Sequence, residues 1–571
     1  MRIVDSRRLT GPGLLLDAPG AVLDIELDDA LRTPAVAKWE SAARRLLNAV
    51  GWTDEKLTSR AFPGGVSLAF SAPVDGLYAA TEINEQAWIV AVAELEGGPV
   101  PDFQSTAAQL CDTVAAERNP RLVALRTAAR SRKLTFLSDE DLASIGSGTG
   151  VMVWPVREVP EPSVVDWSKA HDIPMALVTG SNGKTTVVRL IASMVKAAGQ
   201  VPGTTSTDGV LVGSATVEEG DFSGPGGARL VLRRPEVQIA ILETARGGIL
   251  RRGITIDRAD VAVITNIAED HLGEFGVESL KQLAETKLLV GKAVAGGHLV
   301  LNADDPVLIE ASSTVRAPII WFSMDAASPL VRAHVERGGT AVVAEEGSIV
   351  LAAPGQRTEV IRAAEVPITF GGAAQYNIAN VMAAVAAGAA LGIAVAVMRQ
   401  ALRTFGREAD DNPGRANLIE VGGAQVLIDY AHNPHGMAAL VGMAQRIPAP
   451  RRLVMVGQAG DRKDDAIRQL ARAAAELRPD RVIVKDAEGY LRGRAPGEVP
   501  ALLADEFSRL GTPPSSISHA PSELAGAREA LAWARSGDLL VLAVHQDRRQ
   551  LMGLFTQLDG VGWRAGDPLP D

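Results

Sequence analysis

The chain has 571 residues, too many for one hydrophobic core, so three or four domains are expected. It is 47% apolar and 22% charged, the balance of a globular protein, which excludes a disordered chain. The net charge is −11 and no Lys/Arg-rich tract is present, which argues against a nucleic-acid surface but leaves room for a small anionic ligand in a local positive pocket.

The first sixteen residues show no long apolar run and no small-residue cleavage site, so no secretion signal is expected. Alternating apolar residues at Ile3, Val22, Leu23 and Ile25, followed by helical patterns over 35–49 and 105–117, predict a small α+β domain over 1–165. Cys111 is the single cysteine and has no Cys/His companions at metal spacing. It is expected to be a buried or neutral thiol rather than a catalytic one. A chain without disulfides fits a reducing compartment, here the cytoplasm. The run 158–163, with two prolines, reads as a connector.

From His171 the pattern changes to short apolar runs that end in polar, Gly-rich turns and lead into helices. Strands are expected at 175–179, 238–242, 261–265 and 298–301, and in a second series at 425–428, 453–456, 481–484 and 539–544. That alternation predicts largely parallel sheets covered by helices, in two series separated by the polar stretch 403–414, which ends in Pro-Gly. The stretch 381–398 is entirely apolar or Gly, but eight of its residues are Ala and Gly388 and Gly392 interrupt it. A packed helix or helical hairpin is expected there rather than a membrane span. In open α/β sheets ligands bind beyond the carboxyl ends of the strands, which directs attention to the residues that follow them.

The strongest local signal is 176–186, Ala-Leu-Val-Thr-Gly-Ser-Asn-Gly-Lys-Thr-Thr. A strand runs into a loop of Gly180, Ser181, Asn182 and Gly183, then Lys184 and Thr185, then a helix near Thr186. Backbone N–H groups of such a loop cradle phosphates, the lysine reaches the outer phosphates and the threonine hydroxyl holds Mg²⁺. The usual first glycine is replaced by Val178, so the loop is a shortened variant. Glu243 and His271 follow two further strands and suit a hard cation with few protein ligands. Read singly, Glu243 could instead pair with Arg246, and His271 could cap a helix. Asp429, in Asp-Tyr-Ala-His-Asn-Pro over 429–434, could bind ribose, and spacing leaves the role of His432 open. Arg415 falls where two domains should meet and could clamp phosphate charge, or form a linker ion pair.

Together these motifs resemble the Mur ligase family, and within it the Mur-like part of the cyanophycin synthetases. The resemblance covers about 400 residues from His171 onward and is densest at 203–209, 220–225, 243–253, 270–273, 302–306, 460–462, 492–494 and 497–498. A weaker likeness to the N-terminal domain of those synthetases rests on 1–3, 9–12 and 121–150. The ATP-grasp module that separates the two parts in that family has no room between Val151 and His171.

The resemblance implies an α/β, multidomain chain with a P-loop-type central ATPase domain over 166–410 and a Rossmann-like C-terminal domain over 411–571, acting as an ATP-dependent, ADP-forming acid–amino-acid ligase with ATP and Mg²⁺ as cofactors. Lys184 and the loop 180–186 would bind the ATP phosphates. Thr185 and Glu243 would hold one Mg²⁺ and His271 a second, and Lys287 matches the lysine that many Mur ligases carbamylate beside the metal. Asn302 would approach adenine, Asp429 the ribose and Arg415 the phosphates. Ser206, Thr207, Asp208, Gly209 and Arg246 would face the carboxylate substrate, and Arg462, Arg492, Arg494 and Glu498 the amine donor, with His432 nearby. The implied partners are an amino acid such as arginine and a carboxylate or acidic peptide, with no nucleic acid and no membrane. A homo-oligomer, a dimer among the forms open, is implied by the family, and a partner enzyme could supply the acceptor. A ligase for another amino acid, a non-catalytic binding homologue and a plain NTPase switch are the competing readings.

Overall fold

The computed structural model describes residues 1–270, 272–294, 296–487 and 489–570. It is a mixed α/β chain built on four sheets. The first is antiparallel, with strands Arg2–Leu9, Gly20–Glu26, Gly65–Ser71 and Leu57–Phe62 side by side in that order. Helices Arg32–Ala49 and Leu77–Glu96 pack on it around Trp39, whose Nε1 donates to Asn84 Oδ1 at 2.8 Å. A three-stranded antiparallel sheet of Phe136–Ser138, Leu142–Ile145 and Met152–Pro155 follows.

The large sheet has eleven strands. Seven are parallel, in the spatial order Pro202–Ser206, Ile239–Glu243, Met175–Thr179, Val261–Ile264, His298–Asn302, Ile319–Ser323 and Thr340–Glu345. Antiparallel hairpins extend both edges, Gly209–Val212 with Ala215–Glu219 on one side and Ser348–Ala353 with Gln356–Arg362 on the other. Helices Lys184–Ala197, Gln375–Ala390 and Val395–Thr404 cover one face, and Pro225–Leu232, Arg246–Arg252 and Leu280–Leu288 the other. Burial on both faces explains why the central strands are unbroken apolar runs.

The last sheet carries six strands in the order Asn417–Val421, Ala424–Asp429, Leu539–Ala543, Arg452–Val456, Arg481–Lys485 and Ile517–Ala520, the first antiparallel and the rest parallel. Helices Pro434–Ala444, Asp464–Ala475 and Glu498–Arg509 pack on one face, and Glu523–Trp533 with Arg548–Gly560 on the other.

All eight strands expected from sequence are present, each end within one residue of its expected place. The nucleotide-loop helix starts at Lys184, two residues before the expected position. The apolar stretch 381–398 is divided between two helices that turn at Gly392 (φ +77°), and no helix among the described residues is long and apolar enough to cross a membrane. Cys111 is not buried. It is exposed on helix Phe103–Glu117, its thiol facing the Ala49 carbonyl at 3.5 Å. Helix amphipathicity places it on the outer face.

Candidate active site

Strand Met175–Thr179 delivers the chain into a loop that only glycine can form at two points. At Gly180 (φ +143°) a Cβ would lie 1.9 Å from Thr265 Oγ1, and at Gly183 (φ +86°) it would lie 2.2 Å from Asn380 Oδ1. The loop is tied to the end of the neighbouring strand. Ser181 N donates to Asn266 O at 2.9 Å, Asn182 N to Asn266 Oδ1 at 3.0 Å, and Ser181 Oγ to Ala268 O at 2.9 Å. Helix Lys184–Ala197 then presents its unpaired N-terminal amides, with their partial positive charge, toward the loop.

Four predicted residues meet beneath this loop. Thr185 Oγ1 donates to Glu243 Oε2 at 2.8 Å. Lys184 Nζ donates to Ser181 O at 3.2 Å, and Lys287 Nζ to Gly180 O at 2.9 Å. Glu243 and Lys287 are both buried. Burial raises the Glu243 pKa, opposed by Lys184, and burial together with the Lys184 charge pushes the Lys287 amine well below its ordinary value. Glu243 Oε1 is buried with no hydrogen-bond partner. A carboxylate with one oxygen on the loop threonine and the other unpaired fits a hard, oxygen-seeking cation. Among the described residues no three His, Cys, Asp or Glu side chains gather as a metal cage. Mg²⁺ ordinarily needs none, since it binds one or two carboxylates and takes the rest of its shell from water and phosphate. His271 lies outside the described residues.

A second group faces the loop across the Thr207 hydroxyl, which is 3.4 Å from Thr185 Oγ1 and 3.3 Å from Arg415 Nη2. The Arg415 guanidinium stacks 4.2 Å above the Tyr430 ring. Asp429 is half-buried and its Oδ2 accepts from Ala416 N at 2.8 Å, which fixes the turn that carries Arg415. Ser206 Oγ accepts from Asp208 N at 3.2 Å, and Gly209 (φ +149°) leaves no room for a Cβ beside Glu218 O. Asn302 ends the strand beside the loop, its Nδ2 donating to Thr265 O at 3.2 Å.

A third group spans the two parallel-sheet domains. Asp270 lies 3.7 Å from His432 Nε2 and 3.6 Å from Arg462 Nη2. Asn182 meets Asn433 Nδ2 at 2.9 Å and His435 Nδ1 at 3.0 Å. Arg246, at the start of its helix, is buried and pairs with Glu274 at 2.5 Å. The predicted amine-side residues form a separate cluster. Arg494 donates to Gly460 O at 2.9 Å and Arg462 O at 2.8 Å, and pairs with Asp464 and Glu498, both at 2.7 Å. Arg492 (φ +47°) faces Asp461 at 3.5 Å. Arg494 connects this cluster to Arg462, whose guanidinium faces Asp270.

The structure also brings in residues that the sequence did not single out. Arg189, Asn412, Tyr430, Asn433, His435 and Arg548 all touch predicted site residues or the interdomain segment. Asn433 and His435 belong to or adjoin the 429–434 motif and were within its reach. Arg189 and Arg548 carry no motif and read as ordinary helix-surface cations.

Residues 178–388 match the family described as the Mur ligase middle domain, and residues 414–544 the Mur ligase glutamate ligase domain. Cyanophycin synthetase of Synechocystis sp. is 41% identical over 332 residues, 58% of this chain and 38% of that protein. The chain therefore spans about two fifths of the length of the curated relatives it matches. The Gloeobacter violaceus UDP-N-acetylmuramoyl-L-alanyl-D-glutamate–2,6-diaminopimelate ligase is 28% identical over 402 residues, 67% of this chain and 74% of that protein. Among solved structures, E. coli FolC in complex with ADP superimposes with a TM-score of 0.51 at 19% identity, covering 68% of this chain and 90% of that one, a likeness of fold.

Proposed function

We propose, from the premise that residues 178–388 form a Mur ligase middle domain and residues 414–544 a Mur ligase C-terminal domain, that this chain is an ATP-dependent, ADP-forming ligase joining a carboxylate to an amine. The observation that carries the reading is the Lys184–Thr185–Glu243–Lys287 cluster under a phosphate-type loop, faced by Arg415 from the interdomain segment.

A carboxylate does not acylate an amine at neutral pH, because its oxygen is a poor leaving group. In the proposed reaction one carboxylate oxygen attacks the γ-phosphorus of ATP, the bond to the β–γ bridging oxygen breaks, and ADP leaves. The amine nitrogen then attacks the acyl phosphate carbon, loses a proton, and phosphate departs with its oxygen. Lys184 and Arg415 face the transferring group and offset its charge, and the loop amides hold the remaining phosphates. Thr185 and Glu243 would hold Mg²⁺, which when bound supplies further neutralisation of the phosphate charge. Burial and the Lys184 charge lower the Lys287 pKa well below that of an ordinary lysine, which favours the unprotonated amine that carbamylation requires. Water would destroy the acyl phosphate, so contacts such as Asn182 with Asn433 and His435 serve to close the cleft.

The acceptor is proposed to be the side-chain carboxylate of an aspartyl peptide or a related acid, and the amine that of arginine, by analogy with the cyanophycin synthetases. The chain passes from strand Met152–Pro155 to strand Met175–Thr179 with no further module between them, so it would perform one ligation on a premade acceptor. We assign 1–165, 166–410 and 411–571 as its three domains and the cytosol as its place of action. The test is ADP release with Mg-ATP across a matrix of acceptors (β-aspartyl peptides, polyaspartate, Asp, Glu) and amines (arginine, lysine, ornithine), with products weighed by mass spectrometry. An arginine amide of an aspartyl acceptor is expected. ADP release with another pair would keep the chemistry and remove the substrate assignment, and release that needs neither substrate would point to an NTPase.

A further inference from the structure

Three guanidinium groups converge on one carboxylate at the edge of the cleft. Asp208 lies in the turn between strands Pro202–Ser206 and Gly209–Val212. Its Oδ2 is 2.7 Å from Arg189 Nη2 and 3.9 Å from Arg415 Nη2, and its Oδ1 is 3.5 Å from Arg548 Nη1. Arg189 belongs to the nucleotide-loop helix, Arg415 to the interdomain segment and Arg548 to the last helix of the C-terminal domain. Arg189 and Arg548 also donate to the same carbonyl, that of Pro413, at 3.4 and 3.1 Å.

Only Arg189 is closely paired. Among the described residues Arg548 has no carboxylate nearer than 3.5 Å, and Arg415 none nearer than 3.9 Å. Three guanidinium groups thus share one carboxylate in a partly enclosed place, with Glu243 acting on Arg189 and Asp429 on Arg415 from further off. Burial lowers the pKa of Arg189 to about 10, and the neighbouring Arg415 and Arg548 charges act in the same sense. Guanidinium groups from three separate elements, two of them only loosely paired, form a receptor for an anion. The cluster is offset from the phosphate loop, with the Thr207 hydroxyl between it and Thr185. The strongest charge neighbours of Arg189 are Asp208, Arg415, Arg548 and Glu243, whereas the Lys184 charge acts on Glu243 and Lys287.

We propose that Arg189 and Arg548 form a subsite for a second, non-reacting carboxylate of the acceptor, which Asp208 occupies as an internal stand-in, so that this chain selects dianionic over monoanionic acceptors. The proposal rests on the ligase reading for the identity of its ligand. Because Arg548 comes from the C-terminal domain and Arg189 from the central one, filling the subsite also ties the two domains together over Pro413.

The test is calorimetry on the full chain with its nucleotide site saturated by a Mg²⁺-bound, non-hydrolysable ATP analogue. The probes are N-acetyl-aspartate, with two carboxylates, and N-acetyl-alanine, with one. The dianion should bind about tenfold or more tightly than the monoanion, the scale of one charge-assisted contact. Arg548→Met, at a half-exposed position where folding is little threatened, should abolish that preference, Arg548→Lys should restore part of it, and Asp208→Asn should tighten the dianion severalfold. An unchanged preference in Arg548→Met, or weaker dianion binding in Asp208→Asn, overturns the subsite. Loss of affinity for the ATP analogue relative to ADP in Arg548→Met, with the acceptor preference kept, overturns it in favour of the γ-phosphate. Binding is read without turnover, so the subsite stands or falls separately from amide formation.

Discussion

Replacing Lys184 by Met tests the phosphate-site assignment most directly. Among the described residues the Lys184 amine makes one hydrogen bond, to Ser181 O at 3.2 Å, so its loss should cost about 1–2 kcal/mol of stability. Lys184 also repels the buried Lys287 amine and attracts the buried Glu243 carboxylate, so removing it relieves one interaction and weakens the other, and the two offset each other. Catalysis should respond very differently. A unit charge about 4 Å from the transferring phosphoryl group, at an effective dielectric constant of about 20, contributes about 4 kcal/mol, or about a thousandfold in rate. ADP release should be measured at saturating Mg-ATP with an acceptor and amine that support wild-type turnover, beside a thermal melt of both proteins. The expected result is a fall of about a thousandfold in kcat with a melt lowered by a few degrees at most. Turnover within tenfold of wild type would refute the assignment. An equally large loss accompanied by a drop of many degrees in Tm would make Lys184 structural.

Lys287→Ala should be inactive and partly rescued by short carboxylic acids if a carbamate is the working form, and a lack of rescue would remove that role. Gly180→Ala places a Cβ 1.9 Å from Thr265 Oγ1 at φ +143°, and should cost about 2 kcal/mol or more in urea unfolding as well as nucleotide binding; a neutral result would contradict the loop geometry. Arg494→Ala frees the carbonyls of Gly460 and Arg462 and should raise the KM for the amine about tenfold, leaving the KM for ATP near wild type. Burial, helped by Lys485, pushes His545 down to about 4 from 6.5, so the unfolded chain binds a proton that the folded chain refuses between those values. Stability should therefore be full above about pH 6.5 and fall by up to about 3 kcal/mol toward pH 4, a slope that His545→Asn should flatten in urea unfolding.

The parallel strands were legible because both faces of each are buried, which writes an unbroken apolar run into the sequence. The edge hairpins were not. Strand Ala215–Glu219 is mostly exposed, packs only Val217 against the core, and is held by its pairing with Gly209–Val212. The nucleotide loop was legible because its chemistry is local, with glycines, lysine and threonine contiguous in the chain. Glu243 and Lys287 could be named but not joined, since the contacts that gather them under the loop connect residues 58 and 107 positions apart. Lys485 marks the limit of such reading. It ends an apolar strand and is fully buried, yet its amine reaches Glu523 at 2.6 Å and His545 at 3.3 Å, partners 38 and 60 residues away.

The 429–434 motif shows how tertiary structure gives a local pattern its meaning. From sequence it offered a ribose carboxylate and a histidine of open role. In the fold every polar member serves the joint between the two parallel-sheet domains. Asp429 fixes the turn at Ala416, Tyr430 supports the Arg415 guanidinium, and His432 faces Asp270. Asn433 caps helix Pro434–Ala444 through its Oδ1, which accepts from Gly436 N at 2.8 Å, and turns its Nδ2 to Asn182 in the nucleotide loop at 2.9 Å. Pro434 at the first helical position keeps that cap in place, because its fixed φ suits the helix start and its missing N–H needs no partner. One asparagine thus starts a helix of one domain and touches the phosphate loop of the other. Asn433→Ala would remove both at once, whereas Asn433→Asp would keep the cap and lose the donor to Asn182. Comparing the two separates helix stability from domain closure, and if closure shields the intermediate, the aspartate variant should release ADP in excess of amide product while the fold holds.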